Sequence, residues 1–309
     1  MRTFAPGKLV LTGAYAVLEG APAIVVAVDR GAFADTARAA ATPTPEVAAA
    51  LGEGAAPHVD ASSMFAGARK LGLGASAAIL VASLAAREAD AGADLADPAV
   101  RARLFDVAKG AHARAQGGGS GVDVAASVHG GALRYVMGRA PERVAIPEGL
   151  RVRVFACGAS ARTSELRAEV DRLARTSPAA HRARMDELAA VAADSARAID
   201  AGDAPAFVLG LRRTARALAR LGDAANVGIV PAGFDALEAL AAREDASMSV
   251  SGAGGGDVAV YVGPAEPSPS FLERARALGL FSLDLSLDTK GVRIAFAAPA
   301  FAAASPSAS

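Results

Sequence analysis

The stretch Leu71-Gly72-Leu73-Gly74-Ala75-Ser76-Ala77-Ala78 passes from a glycine-rich turn directly into an apolar, alanine-rich segment that extends to Ala86. Alanine and leucine favour a helix there, so the glycines lie at its amino-terminal end. Amides at such an end suit the phosphate chain of a nucleotide, and Ser76 can ligate a Mg²⁺ ion that the nucleotide carries. The alternative, a glycine turn with Ser76 as the N-cap of a core helix, stays open at this point.

A second glycine-rich loop, Gln116-Gly117-Gly118-Gly119-Ser120-Gly121-Val122-Asp123, follows a helix expected over Val100–Ala115. Asp123 can accept a proton from an attacking hydroxyl or phosphate group, and Ser120 can donate a hydrogen bond to a phosphate. On this loop alone, the favoured interpretation of Asp123 is an N-cap for the helix that follows it.

A third loop, Ser249-Val250-Ser251-Gly252-Ala253-Gly254-Gly255-Gly256-Asp257, lies between two expected strands. It can wrap a phosphate or close against another lobe, and the alternative is a wide turn with Asp257 as a structural cap. Lys8 follows Ala5-Pro6-Gly7 before a strand, where a lysine can stabilise the charge of a transferring phosphoryl group, although an isolated lysine is usually only solvated. Three such loops, with a lysine and an aspartate, favour an anion site over chance.

The composition excludes several classes of protein. The 309 residues carry 32 basic and 32 acidic side chains, so no basic excess is present to neutralise a nucleic acid or an anionic membrane. One cysteine, Cys157, excludes an internal disulfide and a thiolate metal cluster, and the four histidines have no metal-ligand spacing. No apolar run is long enough to span a bilayer, and the N-terminus lacks a secretory signal. We expect a cytoplasmic protein.

Expected strands and helices follow one another without a regular βαβ repeat, which indicates an α+β fold in two lobes. A long helical region from about Ser164 to Leu221 is expected to break near Ser177-Pro178 and near Gly202–Pro205. The turn Pro147-Glu148-Gly149 predicts a boundary between domains at 1–149 and 150–309. Residues 297–309 carry no charge and are predicted to be disordered.

The order of these motifs resembles that of the GHMP kinases, the superfamily of galactokinase, homoserine kinase and mevalonate kinase. Ala5-Pro6-Gly7-Lys8 is similar to its first motif, and Leu71–Ala78 is similar to its nucleotide loop, usually Gly-Leu-Gly-Ser-Ser-Ala. Ser251–Asp257 is similar to its third motif. The resemblance covers nearly the whole chain.

Within the superfamily, the chain most resembles the phosphomevalonate kinases of fungi and plants. The segment Ala111–Ala126 is similar to their Ala-His-x-x-Ala-Gln-Gly-Lys-x-Gly-Ser-Gly-Phe-Asp-Val, and the segments at 13–19, 27–30, 130–135 and 158–163 also fit. Mevalonate kinases usually have a His-Glu pair where this chain has Ala14-Tyr15. They also have a glutamate metal ligand where this chain has His112.

The resemblance implies an N-terminal, ATP-binding lobe like domain 2 of ribosomal protein S5 and a ferredoxin-like C-terminal lobe, with the active site between them. It implies ATP- and Mg²⁺-dependent phosphorylation of (R)-5-phosphomevalonate to (R)-5-diphosphomevalonate, in the mevalonate pathway of isoprenoid biosynthesis.

By motif position, the resemblance assigns catalytic roles to Lys8 and Asp123. It assigns ATP binding to Gly72, Leu73, Gly74, Ala75, Ser76 and Ala77, with Ser76 as a metal ligand. It assigns substrate binding to Ser120, Gly121, Tyr15, Gly252, Ala253, Gly254 and Gly255. The expected partners are these small molecules, with no nucleic acid or membrane, and the expected state is a monomer or homodimer.

The chain departs from the family at three positions. Gly118 and Ser249 stand where relatives usually have lysine, and Ala75 replaces the first serine of the nucleotide loop. Two missing cations weaken a site for two anionic ligands unless other basic residues compensate. The candidates, each more often a solvated surface residue, are Arg69, Lys70, Arg162, Arg212 and Arg213. Another kinase or a decarboxylase of the superfamily, such as mevalonate kinase, and a catalytically silent ATP-binding member are the alternative functions.

Overall fold

The computed structural model of the chain describes residues 1–52, 54–158 and 163–295. They form two compact units, each built from separate stretches of chain. The first unit contains residues 1–8, 26–131 and 286–295, and the second contains residues 9–25 and 132–285. The predicted division into 1–149 and 150–309, which cuts the sequence once, stays a prediction. The segment predicted to be disordered, 297–309, and Arg162 lie outside the described residues, as does most of the family-like segment 158–163.

Strands and helices alternate irregularly along the chain and are numbered in chain order. The strands are β1 (Arg2–Thr12), β2 (Ala23–Ala39), β3 (Pro57–Asp60), β4 (Phe65–Ala66), β5 (Arg69–Lys70), β6 (Ala132–Tyr135), β7 (Glu142–Val144), β8 (Arg151–Ala156), β9 (Ser247–Val250), β10 (Val258–Gly263), β11 (Phe281–Leu283) and β12 (Arg293–Ile294). The helices are α1 (Pro45–Leu51), α2 (Ala75–Asp90), α3 (Pro98–Gln116), α4 (Val122–His129), α5 (Thr163–Thr176), α6 (Pro178–Asp200), α7 (Ala204–Ala225), α8 (Phe234–Arg243) and α9 (Pro269–Ala277).

The strands form one six-stranded, one four-stranded and one two-stranded sheet. The largest has the order β12-β1-β2-β6-β7, with β3 also paired to β2, and the four-stranded sheet has the order β11-β8-β10-β9. In the first unit, β12 pairs antiparallel with the start of β1, where Thr3 lies opposite Ile294 and Phe4 lies opposite Arg293. Because β1 continues past Lys8, this one strand belongs to both units.

The helices of the first unit present an apolar face to its core. Ten of the sixteen residues of α2 are buried, which is the result expected from its alanine and leucine content. Helix α2 contacts α1, α3 and α4. The predicted break in the long helical region of the second unit is confirmed at both places, because α6 begins at Pro178 and α7 begins just before Pro205.

A turn at residues 288–291 fixes the carboxyl end of α4. Gly130 follows this helix with φ +67°, and a Cβ atom on Gly130 would lie 2.1 Å from the backbone nitrogen of Gly291. The Asp288 side chain accepts hydrogen bonds from the backbone N–H groups of Lys290 and Gly291, and it pairs with Arg293 at 2.7 Å. Only a residue without a side chain fits between these two backbones.

None of the helices in the described part of the chain is both long and apolar enough to span a bilayer.

Candidate functional site

The glycine-rich turn before α2 has an open helix start. Gly74 is the N-cap of α2 in the left-handed conformation, with φ +79° and ψ +39°, and no side chain among the described residues caps this end. Leu71 and Leu73 are buried and hold the turn to the core. The first amides of α2 therefore have no side-chain acceptor, which is the arrangement that binds an anion at a helix start. Ser76 lies within the first turn, so its interpretation as an N-cap is wrong.

Lys8 lies against this turn. Its backbone N–H donates to the carbonyl of Leu73 at 2.9 Å, and its Nζ donates to the carbonyl of Gly72 at 3.1 Å. A Cβ atom on Gly74 would lie 3.1 Å from Cγ of Lys8 and 3.5 Å from Cβ of Asp123. The structure thus brings together both predicted catalytic residues and the predicted nucleotide turn.

Asp123 is the second residue of α4. The N-cap of this helix is Gly121 in the left-handed conformation, so the N-cap interpretation of Asp123 is wrong. The Asp123 carboxylate accepts the backbone N–H of Val124 at 3.1 Å, and its side chain is 22% exposed. The carboxylate therefore lies at the amino-terminal end of α4, beside the turn that carries Gly74. The Ser127 hydroxyl, also on α4, donates to the carbonyl of Pro6 at 2.8 Å and thereby ties the helix to β1.

His112 is a residue of this site to which the sequence analysis assigned no role. It is buried on α3, and its Nε2 lies 3.1 Å from Oγ of Ser76 and 3.9 Å from Oδ2 of Asp123. The signal that could have found it is its place in the family-like segment Ala111–Ala126, where it matches the histidine of Ala-His-x-x-Ala-Gln.

The second glycine loop joins α3 to α4. Gly117, Gly118, Gly119 and Gly121 all have positive φ, between +68° and +144°. The Ser120 hydroxyl accepts the backbone N–H of Val122 at 3.3 Å. The loop therefore turns on glycines, and Ser120 and Gly121 directly precede the helix that carries Asp123.

In the second unit, Tyr15 contacts the third glycine loop. Its hydroxyl donates to the carbonyl of Ala253 at 2.8 Å, and its own φ is +62°. Burial raises the pKa of the Tyr15 phenol, so the hydroxyl stays a donor at neutral pH. The structure thus brings together Tyr15 and the loop residues Gly252, Ala253, Gly254 and Gly255.

The third loop is held tightly to the rest of its unit. The N–H of Gly255 donates to the carbonyl of Ile229 at 2.8 Å, and a Cβ atom on Gly254 would lie 2.2 Å from that same oxygen. The Ser251 hydroxyl accepts the N–H of Val10 at 2.9 Å. The loop spans the gap between β9 and β10, so it is also the wide turn that was the alternative interpretation.

Two of the candidate basic residues have structural roles in the second unit. Arg212 donates to the backbone carbonyls of Ala246 and Ala242, at 2.8 and 3.3 Å, and Arg213 pairs with Asp194 at 2.6 Å. Arg69 lies on β5 beside Lys70, whose side chain is exposed. Neither Arg212 nor Arg213 is therefore a replacement for the missing lysines, while Arg69 and Lys70 stay candidates.

A cavity of about 490 Å³ lies in the second unit among α7, α8 and β9. Its lining includes Ser249, where relatives have lysine, and the carboxylates Asp223 and Glu238, the latter paired with Arg216 at 2.6 Å. This lining offers carboxylates, whereas the turn before α2 offers backbone amides and Lys8, so the turn is the better candidate for the anion site. Within the described residues, no group of three or more His, Cys, Asp or Glu side chains is placed to hold a metal ion.

Comparisons with known proteins agree on the fold. The chain is 27% identical to the phosphomevalonate kinase of Streptomyces sp. (strain CL190), in an alignment that covers 93% of this chain and 97% of that protein. It is similar to the crystal structure of a Lin0012 protein from Listeria innocua, with a TM-score of 0.80 and 19% identity over 96% of this chain and 99% of that one. It is also similar to Streptococcus pneumoniae phosphomevalonate kinase in complex with phosphomevalonate and AMPPNP, with a TM-score of 0.75 and 18% identity over 93% and 99%. No protein-family model matches the chain. The predicted α+β fold is confirmed.

Proposed function

We propose that this chain, a homologue of phosphomevalonate kinases with the fold of the GHMP kinases, transfers the γ-phosphoryl group of ATP to the phosphate of (R)-5-phosphomevalonate. The bond between the γ-phosphorus and the bridging oxygen of ATP breaks, a phosphoanhydride bond forms on the acceptor phosphate, and ADP leaves with the bridging oxygen. The observation that carries the proposal is the meeting of Lys8, Asp123 and the open start of α2 around Gly74.

The turn and first residues of α2 fit a nucleotide triphosphate. The backbone from Gly72 to Ala77 supplies amides, and a glycine at 74 lets a phosphate approach them closely. Ser76 supplies a hydroxyl oxygen, which suits Mg²⁺ because this ion prefers oxygen ligands and keeps several waters. A Mg²⁺ ion held there by Ser76 would supply positive charge to the phosphate chain.

Lys8 and Asp123 act on the transferred group and on the acceptor. Because Lys8 Nζ already lies at the carbonyl of Gly72, its positive charge is placed beside the phosphate chain that this turn binds. The acceptor phosphate is largely ionised at neutral pH, so Asp123 serves mainly to orient it and less to remove a proton.

The remaining predicted residues hold the acceptor. We assign its phosphate to Ser120 and Gly121 at the start of α4, where the helix dipole favours an anion. We assign the rest of substrate binding to Tyr15 and to the loop of Gly252, Ala253, Gly254 and Gly255, which Tyr15 holds in place. The cytoplasmic location, the monomeric or homodimeric state and the lack of nucleic-acid or membrane partners stay predictions.

A panel of acceptors tests the proposal. ADP release is measured with mevalonate, phosphomevalonate, diphosphomevalonate, homoserine and galactose, each with ATP and Mg²⁺. We expect rapid release with phosphomevalonate alone. Preference for another acceptor would replace the assigned substrate, and binding of ATP without turnover of any acceptor would indicate a silent member.

Asp123→Asn tests the role of the carboxylate in that assay. The amide keeps the shape of the side chain and removes its charge, so we expect kcat to fall by at least about 100-fold, in line with the contribution of such groups. Asp106→Asn, on the exposed face of α3, is the control for loss of one carboxylate. A rate for Asp123→Asn within a few-fold of the parent would exclude both an orienting and a proton-accepting role.

A further inference from the structure

One face of α3 carries two polar side chains, of which His112 is buried and Gln116 is exposed. His112 and Gln116 are one turn apart, and α3 contacts α1, α2 and α4. His112 is 8% exposed, and Gln116 Nε2 donates to Oε1 of Glu46 on α1 at 2.5 Å. This face therefore joins the helix that carries Ser76 to the buried carboxylate of α1.

The distances decide which group His112 serves. Its Nε2 is within hydrogen-bond range of the Ser76 hydroxyl at 3.1 Å, whereas Oδ2 of Asp123 at 3.9 Å is beyond that range. The imidazole therefore forms its hydrogen bond with Ser76, and Asp123 is a neighbour outside hydrogen-bond range.

The chemistry of a hydroxyl ligand explains why such a partner matters. A serine hydroxyl that gives a lone pair to a metal ion still needs an acceptor for the hydrogen bond of its O–H group. In the described structure, Nε2 of His112 lies within hydrogen-bond range of this hydroxyl. With the ring proton on Nδ1, Nε2 accepts that hydrogen bond and the lone pairs of Ser76 point away from the ring. An imidazole nitrogen is itself a poor ligand for Mg²⁺, which prefers oxygen.

We infer that His112 is a positioning residue: its Nε2 accepts a hydrogen bond from the Ser76 hydroxyl and thereby directs that oxygen toward the Mg²⁺ ion of a bound nucleotide. This inference rests on the nucleotide-binding part of the proposed function and does not depend on which acceptor is phosphorylated.

Glu46 and Gln116 hold the face from which His112 projects. Burial alone would raise the pKa of the Glu46 carboxyl, but hydrogen bonds from its backbone, from Gln116 and from Thr44 lower that pKa below its ordinary value. The buried carboxylate is therefore charged at neutral pH, and its bond to Gln116 fixes the last turn of α3.

A pair of amide substitutions isolates the Nε2 position. The amide of Gln at position 112 reaches the place of Nε2, whereas the shorter amide of Asn reaches only the place of Nδ1. Calorimetric titration measures the affinity of the parent, His112→Gln and His112→Asn for AMPPNP with and without Mg²⁺. Thermal unfolding of all three verifies that they fold.

We expect Mg²⁺ to raise the affinity of the parent and of His112→Gln for AMPPNP by a similar factor. In His112→Asn we expect the magnesium-linked gain to fall by about threefold to tenfold, which corresponds to the loss of one hydrogen bond. The affinity for metal-free AMPPNP should stay within about twofold in all three. With the acceptor that the panel identifies, kcat should fall in His112→Asn more than KM rises.

Two results would overturn the inference. One is an equal magnesium-linked gain in His112→Asn and His112→Gln, and the other is no magnesium-linked gain in the parent. If phosphomevalonate is not turned over, the proposed substrate fails, but the calorimetric comparison still tests His112 because it uses only nucleotide and metal.

Discussion

The substitution Gly74→Ala places a methyl group at the centre of the candidate site. The new Cβ would lie 3.1 Å from Cγ and 3.3 Å from Cε of Lys8, and 3.5 Å from Cβ of Asp123. The first two separations are shorter than ordinary carbon–carbon contacts of about 3.5–4.0 Å. Lys8 must therefore move by a few tenths of an ångström, or the start of α2 must move away from it.

The backbone cost of this substitution can be measured separately. Gly74 has φ +79°, and an L-residue in the left-handed region costs about 1–2 kcal/mol. Gly92, which follows α2, has φ +86° and no described atom within 4 Å of a Cβ placed on it. Gly92→Ala is thus the matched control, with the same backbone cost and no contact with Lys8 or Asp123.

We expect both variants to lose about 1–2 kcal/mol in the free energy of unfolding, measured by urea denaturation. Only Gly74→Ala should lose activity beyond its folded fraction. Since a misplacement of about 1 Å can cost about 100-fold, a shift of half that size corresponds to about tenfold in kcat/KM for ATP. Equal kcat/KM values for folded Gly74→Ala and Gly92→Ala would refute the placement of the nucleotide phosphates at Gly74.

Three other predictions concern Tyr15, Gly130 and Glu46. Tyr15→Phe removes the hydrogen bond to the carbonyl of Ala253, so the free energy of unfolding should fall by about 1 kcal/mol. KM should rise for phosphomevalonate more than for ATP. Unchanged KM values would contradict a role of the third loop in substrate binding. Gly130→Ala places a Cβ 2.1 Å from the backbone of Gly291, so urea denaturation should show a loss above about 2 kcal/mol, and a parent-like midpoint would be inconsistent with that contact. Because the fold lowers the pKa of Glu46 below 4.5, the ionised carboxylate stabilises the folded state above that pH and the contribution is lost on acidification. The difference in unfolding free energy between the parent and Glu46→Gln should therefore be constant from pH 6 to 8 and shrink below about pH 4.5, and a difference independent of pH would argue against a charged Glu46.

Local signals in the sequence predicted the elements that depend on neighbouring residues. The alanine-rich run after Gly74 forms α2, and the breaks at Pro178 and before Pro205 separate three helices. These features follow from intrinsic propensity and from the missing N–H of proline, which act over a few residues.

Two short helices were missed although their start signals are present. Thr44 and Ser268 are N-caps whose side chains accept backbone N–H groups, and each is followed by a proline at the first helical position. The prolines at 43 and 45 also fit a polar connection without a helix, whereas the structure has α1 begin at Pro45. Proline is favoured at that first position because its missing N–H would have no partner within the helix.

The site itself was only partly predictable. Lys8, Gly74 and Asp123 were found because each lies in a glycine-rich motif. The hydrogen bond between Ser76 and His112 joins residues 36 positions apart on two helices, and it depends on how those helices pack. Long-range contacts of this kind leave no periodic pattern in one sequence, so the partner of Ser76 could not be inferred from spacing.

The pairing of β1 with β12 has a consequence for biosynthesis. A ribosome releases Thr3 and Phe4 long before Ile294 and Arg293, which are their antiparallel partners. The first unit therefore cannot close that edge of its sheet during most of translation, and it cannot follow the usual order in which an N-terminal part folds before the rest is made. In the nascent chain, this edge of β1 stays unpaired until nearly 300 residues have been synthesised. Chaperones would have their strongest effect on yield during that time.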